Sequence, residues 1–195
     1  MKLIALELEN YRAYQDRTRV EFSDLTTLIG KNDIGKSTII EALEVFFNNE
    51  IVKIDNSDAC VRSKSNTVTI SCEFSDFPEA IDLDAGASTS LADEYLLTTV
   101  GTLKIEKVFD CSKTKPAERV YVVCEHPTAK GFSDLLDLKE KDLQAKVKEM
   151  KLDVPLKETP ECVGQSGKML RTWSVQPGDW SLEKVRKMER GFGIN

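Results

Sequence analysis

Eight residues near the start of the chain, Gly30-Lys31-Asn32-Asp33-Ile34-Gly35-Lys36-Ser37, fit G-x-x-x-x-G-K-[ST] at every required position. That spacing serves one kind of chemistry, the holding of a polyphosphate. Two glycines let the backbone curl so that successive N–H groups point inward, and a helix beginning near Lys36 turns the positive end of its dipole to the same place. In such a cup Lys36 neutralises the β and γ phosphates, Ser37 offers its hydroxyl to Mg2+, and Thr38 bonds the α phosphate. An unrelated chain of this length would show the pattern about one time in a hundred.

The loop needs a strand before it and a helix after it, and the sequence supplies candidates for both. Leu25-Thr26-Thr27-Leu28-Ile29 is a short β-prone run that stops at Gly30. From Lys36 onward Ile39, Ile40, Leu43, Phe46 and Phe47 recur at helical spacing, and Asn48-Asn49 is a natural stop. Upstream, residues 2–10 alternate with Ile4, Leu6 and Leu8 on one side, and residues 17–22 alternate Thr18, Val20 and Phe22 against Arg17, Arg19 and Glu21. These predict two paired strands joined by a polar piece that carries Tyr11, Arg12 and Tyr14.

Downstream, residues 50–65 are polar and irregular, and Val68, Ile70, Cys72 and Phe74 alternate as a half-buried strand. Residues 76–99 read as loop with at most one helical turn. Strands are expected near 102–109 and 118–124 around a turn at 111–116, which makes an antiparallel meander. Leu135, Leu136, Leu138, Leu143, Val147 and Met150 predict one or two helices within 133–152, with Ser133 as N-cap. Residues 153–179 read as loop around a short β-like piece at 171–175. Leu182, Val185 and Met188 predict a last helix over 181–190.

Composition narrows the function classes. No apolar run reaches the roughly 20 residues that span a bilayer, and the start turns charged too early for a secretory signal, so a cytoplasmic protein with no membrane partner is expected. Five scattered cysteines without a C-x-x-C pair, and His126 as the single histidine, argue against a disulfide scaffold and a zinc site. A net charge of -6 gives no whole-chain basic signature for nucleic acid, so any DNA contact must be local or come from elsewhere.

The run Leu6-Glu7-Leu8-Glu9-Asn10-Tyr11-Arg12-Ala13-Tyr14, then Val20-Glu21-Phe22, then Thr27 through Leu43 resembles the N-terminal lobe of ABC-type ATPases of the SMC and RecF kind. The wording Gly-Lys-Asn-Asp-x-Gly-Lys-Ser-Thr is most similar to OLD-family proteins, in which such an ATPase is joined to a Toprim nuclease, often in anti-phage defence. The first 47 residues carry most of this likeness.

The resemblance implies an α/β P-loop NTPase fold: an ABC-type N-terminal lobe with a mixed sheet, an antiparallel meander and flanking helices over 1–180, and the start of a helical arm or dimerisation segment over 181–195. It implies ATP and Mg2+ as cofactors, a homodimer or higher homo-oligomer with ATP between protomers, and DNA as a partner of the complete protein. Ser174-Val175-Gln176-Pro177-Gly178-Asp179 is similar to the family's Q-loop, which would put Gln176 on Mg2+ and the attacking water. A surface turn led by Pro177-Gly178 accounts for the same residues. Arg12 and Tyr14 would lie beside the nucleotide as in relatives, and an ordinary place at a strand end suits them equally.

Parts of the family pattern are missing. Asp93-Glu94 follows Thr89-Ser90-Leu91-Ala92, which is no buried strand, so it reads as a loop pair and not a Walker B. Gly164-Gln165-Ser166-Gly167 has the composition of an ABC signature but not its order, and Asp82-Leu83-Asp84 echoes a Toprim Asp-x-Asp among loop residues. Such a chain is expected to bind Mg-ATP and to hydrolyse it poorly alone. A RecF or SMC-type repair ATPase is the close rival reading. A small-molecule P-loop kinase would need an arginine-rich lid, and residues 50–100 hold only Arg62. A nucleotide-stabilised interaction module is the third alternative.

Overall fold

The computed structural model describes residues 1–31, 35–48, 51–84, 87–94, 96–127, 138, 140–149 and 180–186. In chain order the elements are β1 (Lys2–Glu9), β2 (Thr18–Glu21), α1 (Lys36–Phe46), β3 (Thr67–Ser75), β4 (Ile81–Asp84) and β5 (Ala87–Thr89). They are followed by β6 (Leu103–Asp110), β7 (Ala117–Pro127), α2 (Glu140–Glu149) and β8 (Trp180–Arg186). The chain divides into two compact units, and the phosphate-loop residues belong to the first, which joins Met1–Phe77 to Thr102–Val122.

In the first unit the strand order is β2-β1-β3-β6, with the leading part of β7 next. β1 pairs antiparallel with β2 and β3, and β3 pairs antiparallel with β6. The register places Leu8 beside Ile70, Leu6 beside Cys72, and Val68 beside Phe109, so alternate residues of three strands share one apolar face. α1 covers that face through Phe46 and Phe47, whose rings lie 6.2 and 6.3 Å from Phe74. Each fully buried aliphatic side chain here contributes about 1.5–3 kcal/mol.

The opposite face is charged. Glu7 lies beside Arg19 on β2 and Ser71 on β3, Ser71 beside Glu106, and Glu73 beside Lys104. Lys104 reaches Glu7 at 2.7 Å, Arg19 reaches Glu73 at 2.6 Å and Glu7 at 3.0 Å, and Arg17 reaches Glu106 at 3.3 Å. Burial alone would raise the carboxyls of Glu7 and Glu73, but hydrogen bonds and neighbouring cations outweigh it and hold both below the ordinary glutamate range. β3 is consequently buried on both faces, apolar on one and ion-paired on the other.

Two expected elements take another form. Residues 25–29 are not a strand. A turn precedes them, in which the Ser23 N–H donates to Thr26 Oγ1 and Ser23 Oγ donates to the Leu25 carbonyl, and among the described residues no strand pairs with the run. Residues 180–186, expected as the start of a helix, are the strand β8, a neighbour of β7. Three apolar residues spaced by three are too few to fix a helical period once sheet pairing is on offer.

The second unit holds Pro78–Gly101 and Val123–Val185. Within it β4 and β5 form a two-stranded antiparallel sheet where a loop is expected, so Asp82-Leu83-Asp84 belongs to a strand. Asp93 and Glu94 lie in a turn, as the sequence implies, with the Asp93 N–H donating to Ser90 Oγ and the Glu94 N–H to the Ser90 carbonyl. α2 occupies the middle of the expected helical stretch, and Val147 on it is buried. Ser133 and residues 171–175 lie outside the described residues. Among the described residues no helix is long and apolar enough to cross a membrane.

Candidate functional site

Gly35 is the N-cap of α1 and sits in the left-handed region, with φ 92° and ψ 12°. A residue with a Cβ is strained there, and that Cβ would also stand 3.1 Å from Tyr14, which would have to shift by a few tenths of an ångström, so both the backbone and its neighbour favour glycine. Gly35 has no side chain with which to cap the helix. Among the described residues, the first backbone donor of α1 with a protein acceptor is Ile39 N–H, 3.3 Å from the Gly35 carbonyl. The amides of Lys36, Ser37 and Thr38 occupy the first turn of α1, where backbone donors have no acceptor within the helix and suit an anion.

Lys36 arches back over the loop, its Nζ donating to the carbonyl oxygens of Gly30 at 2.7 Å and Lys31 at 2.5 Å. Both contacts are exposed. Ser37 is exposed at the helix start, and Thr38 is buried one position on. Of the residues the sequence nominates, Gly30, Lys31, Gly35, Lys36, Ser37 and Thr38 thus converge on the N-terminal end of α1. Asn32, Asp33, Ile34 and Gln176 lie outside the described residues.

A family model for an AAA ATPase domain matches residues 1–166. The chain belongs to that family. No curated protein matches it. Membership implies nucleotide binding and, as is usual in such ATPases, Mg2+ use.

The ATPase domain supports its loop from the turn between β1 and β2. Tyr11 and Tyr14 form a β-bridge across that turn, and the Tyr14 hydroxyl donates to the Gly35 carbonyl at 3.2 Å. Asn10 and Arg12 both adopt positive φ, 57° and 49°. Asn10 is locked there: Nδ2 donates to the Ser65 and Thr67 carbonyls at 2.7 and 2.8 Å, and Oδ1 accepts from the Cys60 N–H at 3.2 Å.

Arg12 costs more in that conformation, about 1–2 kcal/mol, and its ion pairs offset the strain. Its Nε donates to Asp58 Oδ1 at 2.7 Å, its own N–H donates to the Asp58 carbonyl at 2.7 Å, and its Nη1 pairs with Glu41 on α1. Asp58 is buried, and its second oxygen accepts from the Asp55 N–H at 2.8 Å in a reciprocal capping box. Tyr11, beneath them, is fully buried and its phenol is pushed up to about 12 by burial, so it stays neutral.

Sequence reasoning reached Arg12 and Tyr14 only through the family likeness, and missed Glu41 and Asp58. For Asp58 a local signal existed, since Asp55-x-x-Asp58 has the spacing of a capping box within residues otherwise read as irregular. Nothing local announces that this box holds an arginine 46 residues away.

Proposed function

We propose that this ATPase domain is the ATP-binding lobe of a cytoplasmic DNA-processing protein, the N-terminal part of an OLD-like ATPase joined to a Toprim nuclease and serving in anti-phage defence. The observation that supports nucleotide binding is the start of α1 behind a left-handed Gly35, with the Lys36 ammonium exposed against the Gly30 and Lys31 carbonyls. Three amides, one ammonium and a hydroxyl meet there, a donor set matched to a triphosphate and its metal. Ser37 would hold Mg2+, which supplies neutralisation of phosphate charge when bound. The two carbonyl contacts of Lys36 are exposed, so exchanging them for phosphate oxygens costs little.

The OLD-like assignment, in preference to a RecF or SMC-type repair ATPase, rests on the loop wording Gly-Lys-Asn-Asp-Ile-Gly-Lys-Ser-Thr. In this reading the working protein is a homodimer or higher homo-oligomer with DNA as partner. The net charge of -6 leaves DNA contact to a local surface or to another part of the protein. Arg12 takes a place beside the nucleotide, exchanging Glu41 for phosphate while Asp58 keeps its Nε in line.

Titration calorimetry with Mg-ATP tests the core of the proposal. Lys36→Ala is expected to lose most of the affinity, at least about tenfold, with an unchanged circular dichroism spectrum, because the lysine head serves the ligand and not the core. An affinity equal to that of the unsubstituted chain would sink the assignment.

A further inference from the structure

The Gly35 carbonyl accepts a hydrogen bond from a residue outside the loop, Tyr14. A peptide unit is planar and trans, so whatever pins the Gly35 carbonyl also sets the direction of the Lys36 N–H on the other side of the same bond. The Gly35 oxygen accepts from two donors, Ile39 N–H at 3.3 Å within α1 and the Tyr14 hydroxyl at 3.2 Å. The first belongs to any helix. The second comes from 21 residues upstream and reaches the unit at the side where the chain enters the helix.

The Tyr14 ring also bears on Gly35 itself, closely enough that an added Cβ would stand 3.1–3.2 Å from three of its atoms. The hydroxyl therefore does not hang on a mobile arm: the ring is seated on the glycine, and Tyr14's backbone is tied to Tyr11 in both directions, at 2.8 and 2.9 Å. With no side-chain cap from Gly35, Tyr14 is the one group outside the helix seen to fix the Gly35–Lys36 peptide among the described residues.

We infer that Tyr14 is a positioning residue for phosphate binding, acting through its hydroxyl on the Gly35–Lys36 peptide to hold the Lys36 amide facing into the loop. The inference rests on the nucleotide-binding reading and deepens it: the turn between β1 and β2 orients the cup through a carbonyl, and the tyrosine serves the phosphates and not the base. The hydroxyl end of the side chain is committed to Gly35, through the bond to its oxygen and the close approach of Cε2 and Cζ.

The test compares Mg-ATP with inorganic tripolyphosphate, by calorimetry, on the unsubstituted chain, Tyr14→Phe and Tyr14→Ala, with circular dichroism reporting the fold. Tyr14→Phe keeps the ring and deletes one donor, so it is expected to weaken both ligands by the same factor, about 3- to 10-fold. Tyr14→Ala should weaken both further, again equally. The inference is overturned if Tyr14→Phe binds both ligands as the unsubstituted chain does, or if either substitution weakens ATP while sparing tripolyphosphate. Failure of the unsubstituted chain to bind either ligand would instead overturn the nucleotide-binding reading itself.

Discussion

Ile70 and Ile29 are the same residue type in β-prone surroundings, and they meet opposite fates: Ile70 is 0% exposed and Ile29 is 85% exposed. Ile70 lies on β3, between β1 and β6, with Leu8 and Lys107 at its register positions. Ile29 ends the run before the phosphate loop, where no strand of the described residues pairs with the backbone. The difference teaches that apolar content selects which residues can form a strand, while ladder partners decide which do. It also says from which side the loop is supported. Among the described residues, β3 is held by two neighbours and a helix, while the run before Gly30 pairs with no strand and Gly35 is met by α1 and Tyr14.

The sharpest way to break that contrast is to cut into β3. Ile70→Ala removes most of a fully buried side chain between two strands and beneath α1, and should cost about 2–5 kcal/mol in urea unfolding. A loss below about 1 kcal/mol would mean that the site collapses freely and that β3 is not the rigid member of the comparison.

A smaller effect tests the charged face of the same strand. Glu7 and Glu73 have folded-state pKa values below their ordinary ones, so the stability they add is present above the unfolded glutamate range, and it is lost as pH falls through that range to the lower folded values. Urea midpoints should therefore hold between pH 7 and about 5 and fall below about 4.5, by an amount reduced in Lys104→Met, which removes one of the cations lowering Glu7. A midpoint that rises on acidification would reverse the sign and refute the ion-pair account of that face.

The parts of the fold that the sequence reveals are those where one period runs through enough residues to leave no choice. Val68, Ile70, Cys72 and Phe74 alternate over a full strand, and Ile39, Leu43 and Phe46 repeat over about two helical turns, so β3 and α1 lie where expected. β4 and β5 are short, with few apolar positions, and Leu182 and Val185 of β8 are spaced by three, so their strand state comes from pairing that the local sequence does not specify. The site divides in the same way. Gly35, Lys36, Ser37 and Thr38 are legible because loop geometry requires them in a fixed order. The contacts of Tyr14 with Gly35 and of Arg12 with Asp58 are not, since only the fold brings together residues 21 and 46 positions apart.

The smallest predicted effect is the one that most directly tests the other half of the comparison. Leu25 and Ile29 are each 85% exposed, so Leu25→Ser and Ile29→Ser take almost no apolar surface out of a packed environment. Each should change urea-unfolding stability by no more than about 0.5 kcal/mol, as exposed substitutions do. Were the run instead a buried strand in solution, either substitution would place a hydroxyl in a core and leave a cavity, at a cost of at least about 2 kcal/mol. The gap between those values exceeds the error of the measurement, so the pair of serine variants decides whether the phosphate loop hangs from α1 and Tyr14 alone or also from a strand behind it.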